Sequence, residues 1–142
     1  MPPRYLLDTN VLSEPSRAQP DPGVERRLAD AGDDVATAAP IWHELHHGRE
    51  RLTESRRRRA IDALLANYER VLVVLPYDAA AARWHARERA RLAKAGQTAP
   101  FVDGQIAAIA AVHGLTLVTR NVKDFTAFHG LSVESWFSAR AR

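Results

Sequence analysis

The 142-residue sequence contains no cysteine. It therefore has no disulfide framework, no thiolate zinc site and no cysteine nucleophile, and any bound metal must use oxygen or imidazole ligands. Long apolar runs are also missing. None approaches the ~18 residues that a membrane helix needs, and no apolar segment of a signal peptide precedes the first aspartate. From these absences we expect a cytoplasmic protein that is neither secreted nor inserted in a membrane.

Hydrophobic residues make up 46% of the chain, which is enough to build a core without disulfides. At this length we expect one compact domain spanning residues 1–142. Lysine and arginine number 20 against 17 aspartates and glutamates, which gives a net charge of +3. This small excess weakly favours polyanionic or acidic partners.

Short apolar runs bounded by turn residues predict five strands, and capped or amphipathic segments between them predict helices. The predicted strands cover residues 5–7, 35–38, 71–75, 116–119 and 131–134. The predicted helices cover residues 24–31, 41–52, 55–70, 79–94 and 102–113. Strands that alternate with helices across short connections favour a three-layer α/β/α sandwich around a mainly parallel sheet. We expect the β-branched run at 71–75 to be a fully buried strand.

Residues with side-chain oxygen donors lie close to the ends of several predicted strands. Asp8 follows the first strand, Glu44 lies one turn into the helix after the second, and Asp103 opens the helix before the fourth. Asn121 and Asp124 follow the fourth strand. The carboxyl ends of parallel strands meet at one edge of a sheet, so we expect these side chains to converge there.

Such a cluster of carboxylates repels itself, and it stays ionised at neutral pH mainly when a divalent cation lies among the side chains. Mg²⁺ or Mn²⁺ fits, because both prefer carboxylate and water ligands. One or two such ions could orient a water for attack on a phosphodiester. Each acid taken alone could instead be an ordinary helix cap worth ~1 kcal/mol, but caps do not explain why all of them fall at strand exits.

The segment IWHELHHG at residues 41–48 suggests a different chemistry, because it contains the zinc-protease motif H-E-x-x-H. His43 and His47 would share one helix face as zinc ligands, with Glu44 as the base. That interpretation needs a third ligand that no nearby motif supplies, and it leaves Asp8 unexplained. A phosphatase of the haloacid dehalogenase type is disfavoured as well, since it needs an aspartate where this chain has Asn10.

Four segments taken together resemble one known family. They are LLDTNVLSE with Asp8, Thr9 and Asn10; IWHELHHG with Glu44; VDGQIAAIAAVHGLTLVTRN with Asp103, Thr119 and Asn121; and the closing VESWF. Their order and spacing, from about residue 4 to residue 137, resemble the PIN-domain ribonucleases, specifically the VapC-type toxins of bacterial toxin–antitoxin pairs.

The resemblance implies a Mg²⁺- or Mn²⁺-dependent endoribonuclease that cleaves RNA, is held inactive by a cognate VapB-like antitoxin and forms a homodimer. It implies that Asp8, Glu44 and Asp103 bind the metal, which activates a water for attack on the phosphodiester bond. The supporting residues would hold the carboxylates or a water by hydrogen bonds. They are Thr9, Asn10 and Thr119.

The chain departs from the commonest family pattern at the fourth position of the site. Where many members carry an acid after Thr-Arg, this chain has Asn121, and Asp124 follows three residues later. Either residue could complete the site, so the fourth ligand and the number of metal ions stay open. The departure also leaves room for a non-catalytic PIN-fold module that binds RNA or a protein partner.

Two groups of arginines allow more than one interpretation. The first is the run Arg56, Arg57, Arg58 and Arg59, and the second is Arg83, Arg87 and Arg91, which recur every four residues along one helix. Either group could contact RNA phosphates or an acidic stretch of the antitoxin. A solvated helix face is the simpler interpretation of both.

The large apolar residues are expected in the protein interior. Trp42, Trp84 and Trp136 suit a core or a dimer contact better than a base-stacking platform. The ladder of Ile106, Ile109 and Ala110 predicts the buried side of the helix that carries Asp103.

Overall fold

A five-stranded parallel sheet forms the centre of the computed structural model, which describes residues 3–138. Its strands are β1 (Tyr5–Leu7), β2 (Val35–Ala38), β3 (Val73–Leu75), β4 (Thr116–Val118) and β5 (Ser132–Glu134). Their order in the sheet is β3-β2-β1-β4-β5, and every neighbouring pair is parallel. In this order, β2 and β3 lie on one side of β1, whereas β4 and β5 lie on its other side. Such a switch point between β1 and β4 opens a crevice at the carboxyl ends of the strands.

Six helices flank the sheet and confirm the predicted α/β/α sandwich. They are α1 (Thr9–Leu12), α2 (Pro22–Ala31), α3 (Ala39–Glu50), α4 (Arg56–Val71), α5 (Ala79–Lys94) and α6 (Phe101–Val112). Two short 3₁₀ turns, Glu14–Ser16 and Val122–Phe125, complete the secondary structure. The predicted single domain covers residues 1–142, of which 1, 2 and 139–142 lie outside the described residues. Within the described part, no helix has both the length and the apolarity to span a bilayer.

Side-chain caps fix where three of the longer helices begin. The Asp21 carboxylate accepts hydrogen bonds from two backbone N–H groups at the start of α2. Ser55 caps α4, and Asp78 caps α5. These caps satisfy N–H groups that a helix cannot pair internally, so the helices begin at defined residues.

The core lies between the middle strands and the helices that cover them. Leu6 of β1 and Leu117 of β4 are register partners and are both fully buried. The predicted apolar ladder of α6 is buried. Trp136 is also buried, and its ring meets that of Tyr5 edge to face with 5.1 Å between the ring centroids. The other two tryptophans, Trp42 and Trp84, are partly buried against the same core. The predicted interior position is therefore confirmed for Trp136, whereas Trp42 and Trp84 are only partly buried.

The predicted burial of β3 is wrong. The strand is shorter than expected, and Val73 and Val74 are 50% and 36% exposed. The reason is its place in the sheet, because within residues 3–138 β3 is an edge strand that pairs with β2 alone. A β-branched run has the same local pattern at the centre of a sheet and at its edge.

Candidate functional site

Asp8 lies at the switch point and is held at both carboxylate oxygens. It follows β1, and its backbone N–H donates to the carbonyl of Val118 at 2.9 Å. Oδ1 accepts a hydrogen bond from the Thr9 N–H at 2.8 Å, and Oδ2 accepts one from the Thr119 hydroxyl at 2.8 Å. Asp8 is only 9% exposed, so its carboxylate is fixed in orientation.

The surroundings of Asp8 raise the pKa of its carboxyl group above the ordinary value. Burial is the largest cause, and the hydrogen bonds from Thr119 and Thr9 act against it by stabilising the ionised form. The negative charges of Glu44 and Asp124 raise the pKa further. These two acids therefore lie close enough to Asp8 to interact with it, although they come from distant parts of the sequence.

Asp103 completes the acidic cluster from the first turn of α6. It is partly buried, and burial is the main reason that its pKa is raised. The charges of Asp124, Asp8 and Glu44 raise it as well. The structure thus brings together four acids, which lie just after β1, on α3, on α6 and in the turn after β4. We call Asp8, Glu44, Asp103 and Asp124 the acidic cluster.

The acidic cluster has the donors for a hard divalent cation but not a finished cage. All four side chains present carboxylate oxygens, which Mg²⁺ and Mn²⁺ prefer, and their repulsion would be relieved by a cation. Yet no three acidic or histidine side chains in the described 136 residues, 3–138, already stand close enough to hold a metal. Glu44 and Asp124 are exposed, so little packing restrains their side chains.

Asn121 and Asp124 have different positions relative to the cluster. Asn121 is exposed and begins the 3₁₀ turn, and its backbone N–H donates to the Thr119 hydroxyl at 3.1 Å. Asp124 lies within that turn, and its charge acts on both Asp8 and Asp103.

Hydrogen bonds around the crevice hold the two central strands in place. Asn10 Oδ1 accepts from the Arg120 N–H at 3.0 Å, which ties the start of α1 to the end of β4. Sequence analysis did not single out Thr37, a fully buried residue of β2 whose hydroxyl donates to the Leu7 carbonyl at 2.9 Å. Its only signal in the sequence is a hydroxyl within an otherwise apolar strand.

The histidines of α3 do not form the zinc site that their spacing suggested. His43 and His47 are exposed, with rings stacked at a centroid distance of 5.9 Å. No third ligand joins them among residues 3–138. His46 instead packs against Trp42 at 4.6 Å.

The arginine groups differ in their surroundings. Arg56, Arg57 and Arg59 are exposed on α4, whereas Arg58 donates to the Leu52 carbonyl. On α5, Arg83 and Arg87 are exposed, but Arg91 forms a two-bond ion pair with Glu88. Arg58 and Arg91 therefore have structural contacts, while the exposed arginines present charge to solvent.

Comparison with known proteins decides the family. The family model described as PIN domain matches residues 5–129. The chain belongs to the PIN-domain family. This PIN domain is similar to the tRNA(fMet)-specific endonuclease VapC of Shigella flexneri, with 31% identity over 133 residues that cover 94% of this chain and 98% of that protein. It is 34% identical to Toxin FitB of Neisseria gonorrhoeae over 126 residues, or 86% and 91% of the two chains.

The solved structures agree with these relatives. The PIN domain superimposes on a chain of FitAB bound to the IR36 DNA fragment with a TM-score of 0.83 and 29% identity, covering 97% of this chain and 99% of the other. DNA-bound VapBC from Salmonella typhimurium gives a TM-score of 0.80 with 28% identity over 94% and 98% of the chains. The predicted resemblance to VapC-type PIN toxins is therefore confirmed.

Proposed function

We propose that this PIN domain is a divalent-metal-dependent endoribonuclease and the toxin of a toxin–antitoxin pair. The observation that carries the proposal is the acidic cluster, in which acids from four separate segments lie near one another at the switch point. Relatives that match over most of the chain include proteins named endonuclease and ribonuclease. The complexes FitAB and VapBC support a protein antitoxin as the partner.

In this proposal, Asp8, Glu44 and Asp103 hold the metal, which is Mg²⁺ or Mn²⁺. Asp124 is the better candidate for the fourth ligand than Asn121, because its charge acts on both buried acids. When bound, the ion lowers the pKa of a water and neutralises charge on the phosphodiester. Thr119 and the Thr9 N–H keep the Asp8 oxygens pointed at the crevice. We also propose that the protein acts as a homodimer in the cytoplasm.

A second candidate function is a module that binds RNA or a partner without cleaving it. The observation in its favour is that no three ligands in residues 3–138 are already arranged around a metal position. Asn121 points the same way, because the family resemblance leads us to expect an acid at this position. Binding without cleavage in the experiment below would favour this module.

The decisive experiment measures RNA cleavage with Mg²⁺, with Mn²⁺ and with EDTA. We expect cleavage only with a metal, and we expect Asp8→Asn and Asp103→Asn each to reduce it by at least about 100-fold, since each removes a charged ligand. Asp30→Asn, an exposed acid on α2, is the matched control and should leave the rate unchanged. Cleavage that persists in EDTA or in both site variants would refute the proposal.

A further inference from the structure

A groove runs from the acidic cluster toward the start of α3. Its volume is about 430 Å³. We call it the Glu44 groove. Its main lining residues are Pro40, His43, Glu44, Tyr77, Val102 and Gln105. Because Glu44 belongs both to the groove and to the acidic cluster, a ligand in this groove would lie directly beside the reacting centre.

Tyr77 forms a wall of the groove with a fixed position. Its hydroxyl oxygen lies 2.8 Å from Nδ1 of His85, and the two rings meet edge to face at 5.8 Å. His85 is buried and packs against Phe101 at 4.8 Å and against Gly104. The polar end of Tyr77 is therefore held in the protein interior, which leaves its ring as a rigid surface at the groove.

The chemistry of the Glu44 groove suits a nucleobase better than a phosphate. None of the residues that line it is lysine or arginine, and the Glu44 carboxylate would repel an anion. Pro40, Val102 and Tyr77 offer apolar and aromatic surface for the flat faces of a base. Gln105 supplies a side-chain amide, which has N–H donors and a carbonyl acceptor. Such an amide can form hydrogen bonds with the edge of a base.

A second groove also borders the acidic cluster and differs from the first in containing a lysine. It shares Asp103 and Asp124 with the cluster and has a volume of about 500 Å³. Lys123 and Thr98 line it, so it offers a cation and a hydroxyl to the sugar–phosphate backbone. The contrast gives the two grooves different roles.

We propose that the Glu44 groove binds one unpaired nucleobase next to the scissile phosphate, with Tyr77 as the stacking wall and Gln105 contacting the hydrogen-bonding edge of the base. This subsite rests on the proposed ribonuclease function and gives it a base preference. Single-stranded RNA fits, because its bases can leave the stack and enter a pocket.

The test is a cleavage assay on short single-stranded RNAs that carry each of the four bases, or an abasic residue, at the positions flanking the cut. We expect the abasic substitution at one flanking position to lower kcat/KM of the wild type about 10-fold, the usual effect of losing one stacked base. Gln105→Leu should reduce the preference among the four bases while cleavage continues. Tyr77→Ala should remove most of the difference between the abasic and the normal substrate.

Two controls keep the result interpretable. Gln19→Leu makes the same change at an exposed position outside the groove and should leave the base preference unchanged. Tyr77→Phe keeps the stacking ring and loses only the hydroxyl, so it should retain the abasic effect if Tyr77→Ala acts through stacking. Binding of the same RNAs to the Asp8→Asn variant, followed by fluorescence anisotropy, gives a readout that needs no cleavage.

The outcomes separate the two proposals. A wild type that cleaves RNA but treats abasic and normal substrates alike would refute the nucleobase subsite and leave the ribonuclease intact. Unchanged base preference in Gln105→Leu would refute the role of Gln105. A wild type that cleaves no RNA with either metal would refute the proposed function, and with it the subsite.

Discussion

At the scale of single residues, threonine hydroxyls hold the site together. The Thr119 hydroxyl bridges the Asp8 carboxylate and the Asn121 N–H, and Thr37 anchors the carbonyl of Leu7 just before Asp8. Both threonines are fully buried, so each hydrogen bond has no competing water. The geometry of Asp8, the most buried acid of the acidic cluster, therefore depends on neutral neighbours.

Replacing Thr119 with valine tests this dependence. The change keeps the shape of the side chain but removes the donor to Asp8 Oδ2, and a hydrogen bond to a charged group contributes ~1.5–3 kcal/mol. We expect kcat for RNA cleavage to fall about 10-fold or more with little change in KM. Thr116→Val, in the strand that precedes Thr119, is the control and should behave as the wild type. Equal kcat in both variants would show that the Asp8 orientation does not depend on this hydroxyl.

At the scale of elements, α5 and α6 pack so closely at Gly104 that no side chain fits there. A Cβ at residue 104 would collide with the His85 ring. Gly104 directly follows Asp103, so this contact also sets the position of the turn that carries the acid. The tight fit predicts that even one added methyl group is unfavourable.

We therefore expect Gly104→Ala to lower the free energy of unfolding by ~1–3 kcal/mol. Gly48→Ala is the matched control, because a Cβ at this helical position of α3 meets no atom within 4 Å. It should stabilise the protein by ~0.5–1 kcal/mol, since alanine favours helix more than glycine does. Urea denaturation measures both values. Similar changes in the free energy of unfolding at the two positions would show that α5 and α6 can move apart without loss of stability.

A second contact between elements joins α5 to the segment that follows the 3₁₀ turn Val122–Phe125. Glu88 accepts two hydrogen bonds from Arg91 and one from the His129 N–H, and Arg91 also donates to the Ala127 carbonyl. These hydrogen bonds lower the pKa of Glu88 below its ordinary value of 4.5, and hydrogen bonding to Arg91 has the largest effect. The folded state thus favours the ionised carboxylate more than the unfolded state does.

The sign of this shift gives a pH prediction. The stabilisation from Glu88 is complete above its ordinary pKa and is lost as the pH falls below about 4.5. Glu88→Gln should destabilise the protein by ~1–3 kcal/mol at pH 7 and approach the wild type in stability as the pH falls. Glu69→Gln, at an exposed position, should show neither effect. A constant difference between Glu88→Gln and wild type from pH 7 to pH 3 would contradict the prediction.

The sequence predicts most helices and strands but not which of them lie side by side in the fold. The bounds of β1, β2 and α5 match the predicted ranges, because apolar runs, caps and glycines mark them locally. The edge position of β3 could not be predicted, since strand order depends on the whole chain. The one-turn helix α1 was missed, because four residues carry no periodic pattern.

The candidate site shows the same division. Asp8, Glu44 and Asp103 could be placed together because strand exits in a parallel sheet converge. The Tyr77–His85 pair and the Thr37 contact could not, since each depends on how two elements pack rather than on a spacing in the sequence. Which of Asn121 and Asp124 is a ligand stays a prediction.

At the scale of the whole molecule, metal binding should be linked to folding. The folded chain gathers the acidic cluster, whereas the unfolded chain separates its members, so a cation that binds the cluster stabilises the fold. A metal at 100 times its Kd adds ~2.7 kcal/mol. We expect Mn²⁺ to raise the Tm of the wild type by several degrees over EDTA and to leave Asp103→Asn unchanged.

The comparison with Asp103→Asn separates specific binding from a general salt effect. If Mn²⁺ raised the Tm of both proteins equally, the ion would be acting elsewhere on the surface. If it raised neither Tm, the cluster would not hold a metal, and the non-catalytic module would be favoured.

The pairing of β1 with β4 also determines when the candidate site can form during synthesis of the chain. Thr119 and its partner Asp8 are separated by 111 positions along the chain. At the usual ~5–20 residues per second, a ribosome needs roughly 5–20 s between making one and making the other. During that interval the emerging polypeptide has no assembled reactive centre. A fragment that ends before Thr119 lacks the hydroxyl that donates to Asp8, so it cannot form the complete candidate site.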